Sequence, residues 1–404
     1  MTSLRTLTER YGSPLYVYDL DRVLAARRDL VAALPPGCEV YYALKANPHP
    51  DLARALREGE GGCKAEISST GELAAALAAG FDPDDVLYTG PGKTPTELRE
   101  AVALGVRRFS AESLTDLRNI GEAALAQGTV ASCLLRVNSE TSSANTGIRM
   151  TGRPSQFGID SETVADLAPD LRAVPGTTIE GLHLFSQSNA ESEDALIGEM
   201  RHAVELAAHL EKELDSTLRL LDVGGGFAAP YGRHGDRGRY PRLRGALEEA
   251  LDLWFPRWRE GVPRLAVEAG RYLVGDSGTL VTTVGNVKHS RGQTFVVLDA
   301  GINTFGGMSS LGRTLPISVQ IDAEVGEAKA FLAGPLCTPG DILGREVRIP
   351  DLRPGDLVAI PNAGAYGLTA GPLMFLGRPA PSEVVLLGGQ VVSASRIDHV
   401  RRYV

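Results

Sequence analysis

Lys45, Glu66, Arg136, His183, Ser186, Gly224 to Gly226, Glu268, Gly270 and Arg271 all fall at or just beyond the ends of short apolar or β-branched runs. A lysine held at a strand end away from water has its ammonium form disfavoured, which turns the amine into a nucleophile for carbonyl carbon. Three consecutive glycines directly after a strand let the backbone approach a ligand closely, and the N–H groups of such a loop suit a phosphate. Glu268 can hydrogen-bond a ring nitrogen and keep a pyridine protonated, so that the ring draws electrons from a carbanion. Taken singly, each has a plainer explanation: a lysine reaching to solvent, a glycine turn, a Glu268–Arg271 ion pair at a rim. Their shared placement at strand ends argues for one site.

Such a site needs a scaffold that gathers many strand ends in one place. Eight runs have strand character: EVYYALK (39–45), KAEIS (64–68), DVLYT (85–89), VRRFS (106–110), ASCLLRVN (131–138), TIEGLHL (178–184), LRLLDVG (218–224) and RLAVEAG (264–270). Segments between them, such as GELAAALAAG (71–80) and 196–214, carry apolar residues at three- and four-residue steps, as amphipathic helices do. Eight repeated strand–helix units predict an α/β fold, a closed (β/α)8 barrel whose site lies at the C-terminal ends of the strands. After Arg271 the pattern turns to short alternating runs broken by Gly, Pro and Asp, which predicts an antiparallel β domain. PLYVYDL (14–20) stands outside the barrel count and is expected to join that domain. The expected division is 1–28, an N-terminal segment joining the β domain; 29–270, the barrel; and 271–404, the C-terminal β domain.

The chain has 404 residues, enough for two cores, and its 43% hydrophobic and 23% charged content is that of a globular protein. It has no apolar run of about 18 residues and no apolar start of the secretory kind, so no membrane partner is expected. Cys38, Cys63, Cys133 and Cys337 are far apart and form no C-x-x-C pair, which argues against a disulfide framework and a structural zinc site. A reducing cytoplasm fits, and no metal is expected. The net charge of −9 argues against nucleic acid. One stretch runs against that charge: residues 231–245 carry Arg233, His234, Arg237, Arg239, Arg242 and Arg244 against the single acid Asp236. Its plain reading is a solvated loop, and its alternative a dock for an acidic partner.

With these residues in place the chain resembles the fold-type III decarboxylases that use pyridoxal 5'-phosphate (PLP), the group containing the ornithine, arginine and diaminopimelate enzymes. The resemblance rests on Y-A-L-K-A-N (42–47), S-T-G-E-L (69–73), S-Q-F-G (155–158), H-L-F-S (183–186), D-V-G-G-G-F (222–227), E-A-G-R (268–271), G-P-L-C-T-P-G-D (334–341) and G-A-Y-G (364–367). It implies the two-domain architecture shared with alanine racemase, with Lys45 holding PLP as a Schiff base, His183 stacking on the ring and Glu268 pairing with the ring nitrogen. Phosphate contacts would come from Ser186, Gly224, Gly225, Gly226, Gly270, Arg271 and Tyr366. Glu66 stands where the family commonly has aspartate, and Arg136 would lie near the cofactor. Cys337 would reach the active site of a neighbouring subunit as proton donor, which implies a homodimer. Thr338, Asp341 and Arg271 would face the substrate. Gln187 after Ser186, and Ala269 in place of the common proline, depart from the family pattern.

Thr338 matters for substrate. Polyamine-forming members resemble one another in an Asp at this place and diaminopimelate decarboxylases in a Glu, either of which pairs with a distal ammonium. A neutral hydroxyl cannot do that. C-T-P-G-D and 364–377 are closer to a subgroup resembling the butirosin-pathway decarboxylase, which acts on a glutamyl group held by an acyl-carrier protein. The expectation is therefore α-decarboxylation of an amino acid, free or conjugated, in a biosynthetic pathway, with a carrier-tethered substrate as one form. A free diamino acid such as diaminopimelate or ornithine is the alternative. Amino-acid racemization ranks lower because a racemase of this fold sets an arginine, not a glutamate, against the ring nitrogen. A non-enzymatic PLP carrier ranks lower because it lacks the second domain.

Overall fold

The computed structural model describes residues 3–140, 148–149, 154–185, 187–190, 192–308, 318–321, 326 and 328–403; for 148–149, 187–188 and 308 only the backbone is described. Two compact units emerge. One comprises Ala26–Ala228 and Gly238–Gly270, the other Met1–Ala25, Ala229–Arg237 and Arg271–Val404. The short segment 229–237, inside the span expected for the barrel, thus groups with the β unit.

In the first unit eight parallel strands close on themselves: Glu39–Ala43, Lys64–Ile67, Val86–Tyr88, Arg108–Ala111, Ala131–Asn138, Thr177–His183, Leu220–Asp222 and Arg264–Ala269. Arg264–Ala269 pairs back onto Glu39–Ala43, and Arg108–Ala111 onto Ala131–Asn138, so the α/β barrel is complete. All eight coincide with the runs read from the sequence.

Strand side chains alternate in direction, so residues two apart share the barrel interior. This sorts the interior into layers. Near the strand starts, Arg264 bonds to Glu39 and, at 3.1 Å, to Glu180, while Arg108 meets Glu180 at 3.1 Å and Lys64 meets Glu39 at 3.0 Å. Two residues further along, Tyr41, Leu87, Leu134, Leu220 and Ala266 form a fully buried apolar layer. Above these, two residues beyond Lys64, Arg108, Leu134, Leu220 and Ala266, come Glu66, Ser110, Arg136, Asp222 and Glu268, all buried. A polar layer resting on an apolar one has no water beneath it, so its charges interact strongly.

The helices begin where their caps say they should. In the S-T-G-E-L element, the Ser69 hydroxyl accepts from the Glu72 N–H at 3.1 Å and Glu72 Oε2 accepts from the Ser68 N–H at 2.7 Å. The element therefore starts the helix Thr70–Ala78 by satisfying its free N–H groups. Thr94 and Glu97 form a full capping box on Pro95–Ala103.

The second unit is a mostly antiparallel sheet ordered Ile342–Arg348, Lys329–Ala333, Gln293–Leu298, Gly278–Ser290, Leu15–Asp19, Ser382–Leu387, Gln390–Arg396, with Leu357–Ile360 also on Gly278–Ser290. The N-terminal strand Leu15–Asp19 is central, antiparallel to Gly278–Ser290 and parallel to Ser382–Leu387. Its Leu15 and Val17 pack with Leu7, Val281 and Val384. Among the described residues, no helix is long and apolar enough to cross a membrane.

Candidate active site

Lys45 sits on the single 3-10 turn Leu44–Ala46 that follows the first barrel strand. A Cβ on Gly270 would lie 2.8 Å from Ala46 Cβ and 3.2 Å from the Ala43 carbonyl, so only glycine lets the eighth strand end pack against this turn. Lys45 Nζ meets both oxygens of Glu66, at 3.0 and 2.8 Å. Glu66 is buried and also accepts from the Thr89 hydroxyl.

His183 ends the sixth strand, with Nδ1 2.8 Å from Ser110 Oγ and Nε2 3.3 Å from Glu268 Oε1. That proximity is not an ion pair. Burial, then the positive charges of Arg136 and Lys45, hold His183 well below the usual histidine range. Burial, then Glu66 and Asp222, push Glu268 well above the usual carboxylate range. Both groups are driven toward neutrality. Asp222, ending the seventh strand, accepts from the Gly224 N–H at 2.8 Å and is pushed up to about 7, by burial before any charge. His183, Asp222 and Glu268 each aim one atom into a common niche, all within 4.8 Å of one another. Among the described residues, His183 Nε2, Asp222 Oδ2 and Glu268 Oε1 find no hydrogen-bond partner.

The glycine loop borders this niche. Gly224 has φ +71°, which favours glycine, and a Cβ on Gly225 would lie 2.5 Å from the Glu268 carbonyl. Gly226 accepts from the Ala190 N–H. Gly225→Ala should therefore force backbone apart beneath Glu268 and cost about 1–3 kcal/mol. Urea unfolding measures it, and an unchanged midpoint would contradict the close packing.

Arg136 is anchored: Glu112 Oε1 accepts from it at 3.0 Å, and its guanidinium lies over Phe157 of the S-Q-F-G element at 4.6 Å. Glu112 Oε2 also accepts from the Gly158 N–H at 2.8 Å. Ser186 lies outside the described residues.

In the β unit, Arg271 lies over the rings of Tyr366, at 4.8 Å, and Tyr231, at 5.3 Å. Tyr366 has φ +50°, held by the Tyr231 hydroxyl and the Gly307 N–H, both donating to its carbonyl at 2.8 Å. Cys337 is exposed rather than buried, the state its residue type alone suggests. Thr338 forms the turn beside it, its carbonyl accepting from the Asp341 N–H at 3.2 Å. Asp341, also expected to face the substrate, is held by backbone groups. It is buried, and its two oxygens accept from Ile302 N–H at 2.8 Å and Leu336 N–H at 2.7 Å. Its carboxylate holds the loop that carries Cys337 and Thr338.

The basic stretch spends much of its charge locally. Arg237 pairs with Asp276 at 2.5 Å, Arg242 with Glu193 at 2.9 Å and Asp194 at 2.8 Å. Arg244 donates to the carbonyls of Leu34 and Ala32, and Arg233 to that of Ser318. Asp222, Ser110 and Tyr231 were not singled out by sequence reasoning. Asp222 and Ser110 share a signal that could have found them, a position two residues beyond an interior-facing residue of the same strand.

Comparison with known proteins agrees with this geometry. Residues 20–275 match the family described as pyridoxal-dependent decarboxylase, pyridoxal binding domain. The L-glutamyl-[BtrI acyl-carrier protein] decarboxylase of Niallia circulans is 35% identical over 96% of this chain and 91% of its own length. The 2-[(L-alanin-3-ylcarbamoyl)methyl]-2-hydroxybutanedioate decarboxylase of Staphylococcus aureus is 29% identical over 92% and 93%. Diaminopimelate decarboxylase from Helicobacter pylori, solved with L-lysine, superposes with TM-score 0.83 at 25% identity, covering 96% of this chain and 95% of that one. A barrel with a lysine, a histidine and a glutamate gathered at its strand ends, and a family match across the whole barrel, lead to one conclusion: this chain belongs to the fold-type III pyridoxal-dependent decarboxylases and is an enzyme of amino-acid decarboxylation.

Proposed function

We propose that the chain binds PLP at the barrel strand ends and removes the α-carboxylate of an amino acid presented as a conjugate, such as a glutamyl group on an acyl-carrier protein. The observation that carries the cofactor reading is the niche of three buried orphaned atoms on His183, Asp222 and Glu268. A protonated pyridine nitrogen brings them an N–H and a positive charge. The residues present fit the group.

Lys45 would hold PLP covalently through Nζ, and Glu66 beside it orients the amine and takes part of its charge. His183 and Glu268 would meet the ring, and Gly224 to Gly226, Gly270, Arg271, Ser186 and Tyr366 the phosphate. Bound there, PLP supplies the electron sink for the charge left at Cα when carbon dioxide departs. The chain's own part is to keep Glu268 facing the ring, to exclude water around it, and to return a proton to Cα. Cys337, exposed on a loop tied down by Asp341, is the proposed donor, acting in the site of a second copy of the chain. On this reading the enzyme is a homodimer, and we infer that it works in the cytoplasm.

Thr338 supports the conjugated substrate: its hydroxyl offers no charge to a distal ammonium. The Niallia circulans and Staphylococcus aureus relatives, named for conjugated substrates, agree with that reading. The similarity in fold to diaminopimelate decarboxylase favours a free diamino acid as the second reading. Carbon dioxide release from purified holoenzyme separates them, using free glutamate, ornithine, lysine and diaminopimelate beside glutamyl- and other aminoacyl-carrier proteins. Turnover confined to tethered substrates is expected. Turnover of free diaminopimelate or ornithine would reject the conjugate reading.

A further inference from the structure

One carboxyl in the niche has no task in the scheme above. Asp222 is fully buried, and its Oδ1 already holds the start of the glycine loop through the Gly224 N–H. Loop holding needs only one oxygen, and an asparagine would provide it. The other oxygen, Oδ2, has no hydrogen-bond partner among the described residues, and one oxygen of Asp222 lies within 4.8 Å of an oxygen of Glu268 and a ring nitrogen of His183. Two carboxylates this close in a dry interior do not both ionise, since like charges raise one of the two acidities sharply. A ring nitrogen brings one N–H and satisfies one carboxylate oxygen. The second carboxyl is then neutral.

We propose that Asp222 is a positioning residue that carries the proton of the Asp222–Glu268 pair, which leaves the single negative charge on Glu268 for the ring nitrogen. This rests on the reading that the niche holds the PLP ring. Glu66 opposes the ionisation of Asp222, Lys45, Arg136 and the Gly224 N–H favour it, and Tyr41, Cys38 and Glu268 feel its charge. Glu268 is raised further than Asp222, so the cofactor-free pair keeps its proton on Glu268, and it is a cationic ring nitrogen set against Glu268 that moves the proton to Asp222. Burial outweighs the charges around Asp222 and pushes it up to about 7, before any cofactor adds to the balance. As pH rises through that region Asp222 loses its proton, two charges then face each other, and the hold on the ring nitrogen weakens.

Asp222→Asn imitates the proton-bearing form: it keeps the acceptor for Gly224 and offers an N–H where the acid offers O–H. Asp222→Ala removes both. The test is kcat and the cofactor absorbance spectrum of full-length holoenzyme across pH 6 to 10. Asp222→Asn should lose about fivefold in kcat and lose the alkaline limb, while Asp222→Ala falls about a hundredfold. An Asp222→Asn enzyme as impaired as Asp222→Ala, or one that keeps the wild-type alkaline limb, would overturn the proposal. If Asp222→Ala does not fold, the alkaline limb of Asp222→Asn decides alone. Glu268→Gln is run beside them: a wild-type spectrum and rate in that variant would overturn the PLP-ring reading and this inference together. A defective Glu268→Gln with an unaltered limb in Asp222→Asn overturns the inference only.

Discussion

Lys45→Ala lowers kcat by at least about a thousandfold and removes the covalently held cofactor. Both losses come from one atom. Nζ is the proposed nucleophile, and the packing of Gly270 against Ala46 fixes the turn after the first strand that carries it. The same substitution also strips Glu66 of its cation, and Glu66 is 1% exposed, so an uncompensated buried carboxylate adds a stability cost. Lys45→Arg separates the two effects. Guanidinium keeps a positive charge beside Glu66 but does not condense with an aldehyde under these conditions. The arginine variant should therefore melt near the wild type and remain as inactive as the alanine variant. Activity above about a tenth of wild type in either would mean that another amine holds the cofactor.

Glu268→Gln is the second large effect, a fall in kcat of about 10²–10³-fold with little loss of folding stability. The amide is neutral, so it removes the charge proposed to keep the ring nitrogen protonated, while its shape is retained. Without the cofactor, burial and the neighbouring Glu66 and Asp222 already favour the neutral acid at this position. The amide therefore costs the cofactor-free protein little, and its effect is expressed only once a cationic ring nitrogen has to be held. The absorbance of bound cofactor and single-turnover carbon dioxide release check it. Equal loss from Glu268→Gln in cofactor affinity and in kcat would point to binding alone.

The barrel was legible because each of its strands is a short run ending in a turn, and because its inward residues repeat every second position. Lys64 to Glu66 and Arg264 to Ala266 to Glu268 each pass upward through the layers of one interior. The same rule places Ser110 after Arg108 and Asp222 after Leu220, yet neither was read as part of the site. Serine and aspartate next to glycine look like turn residues, and only the closed barrel shows both to be buried and facing inward. Asp341 makes contacts that its motif does not show. Its position in a motif suggested substrate, whereas two backbone N–H groups far apart in sequence, on Ile302 and Leu336, claim its oxygens. Spacing along the chain does not reveal a hydrogen bond across 39 residues. The basic stretch shows the same limit: its cations were visible, but the partners Asp276, Glu193 and Asp194 were not.

The central claim is that Lys45 is the cofactor lysine of a barrel decarboxylase, and a single peptide map tests it. Holoenzyme reduced with borohydride and digested should carry the cofactor mass on the peptide containing Lys45. Lys93, a buried lysine that bonds Asp116 at 2.8 Å and the Ser110 carbonyl at 2.9 Å, should be unmodified. Cofactor on Lys93, on Lys64 or on no peptide would contradict the account.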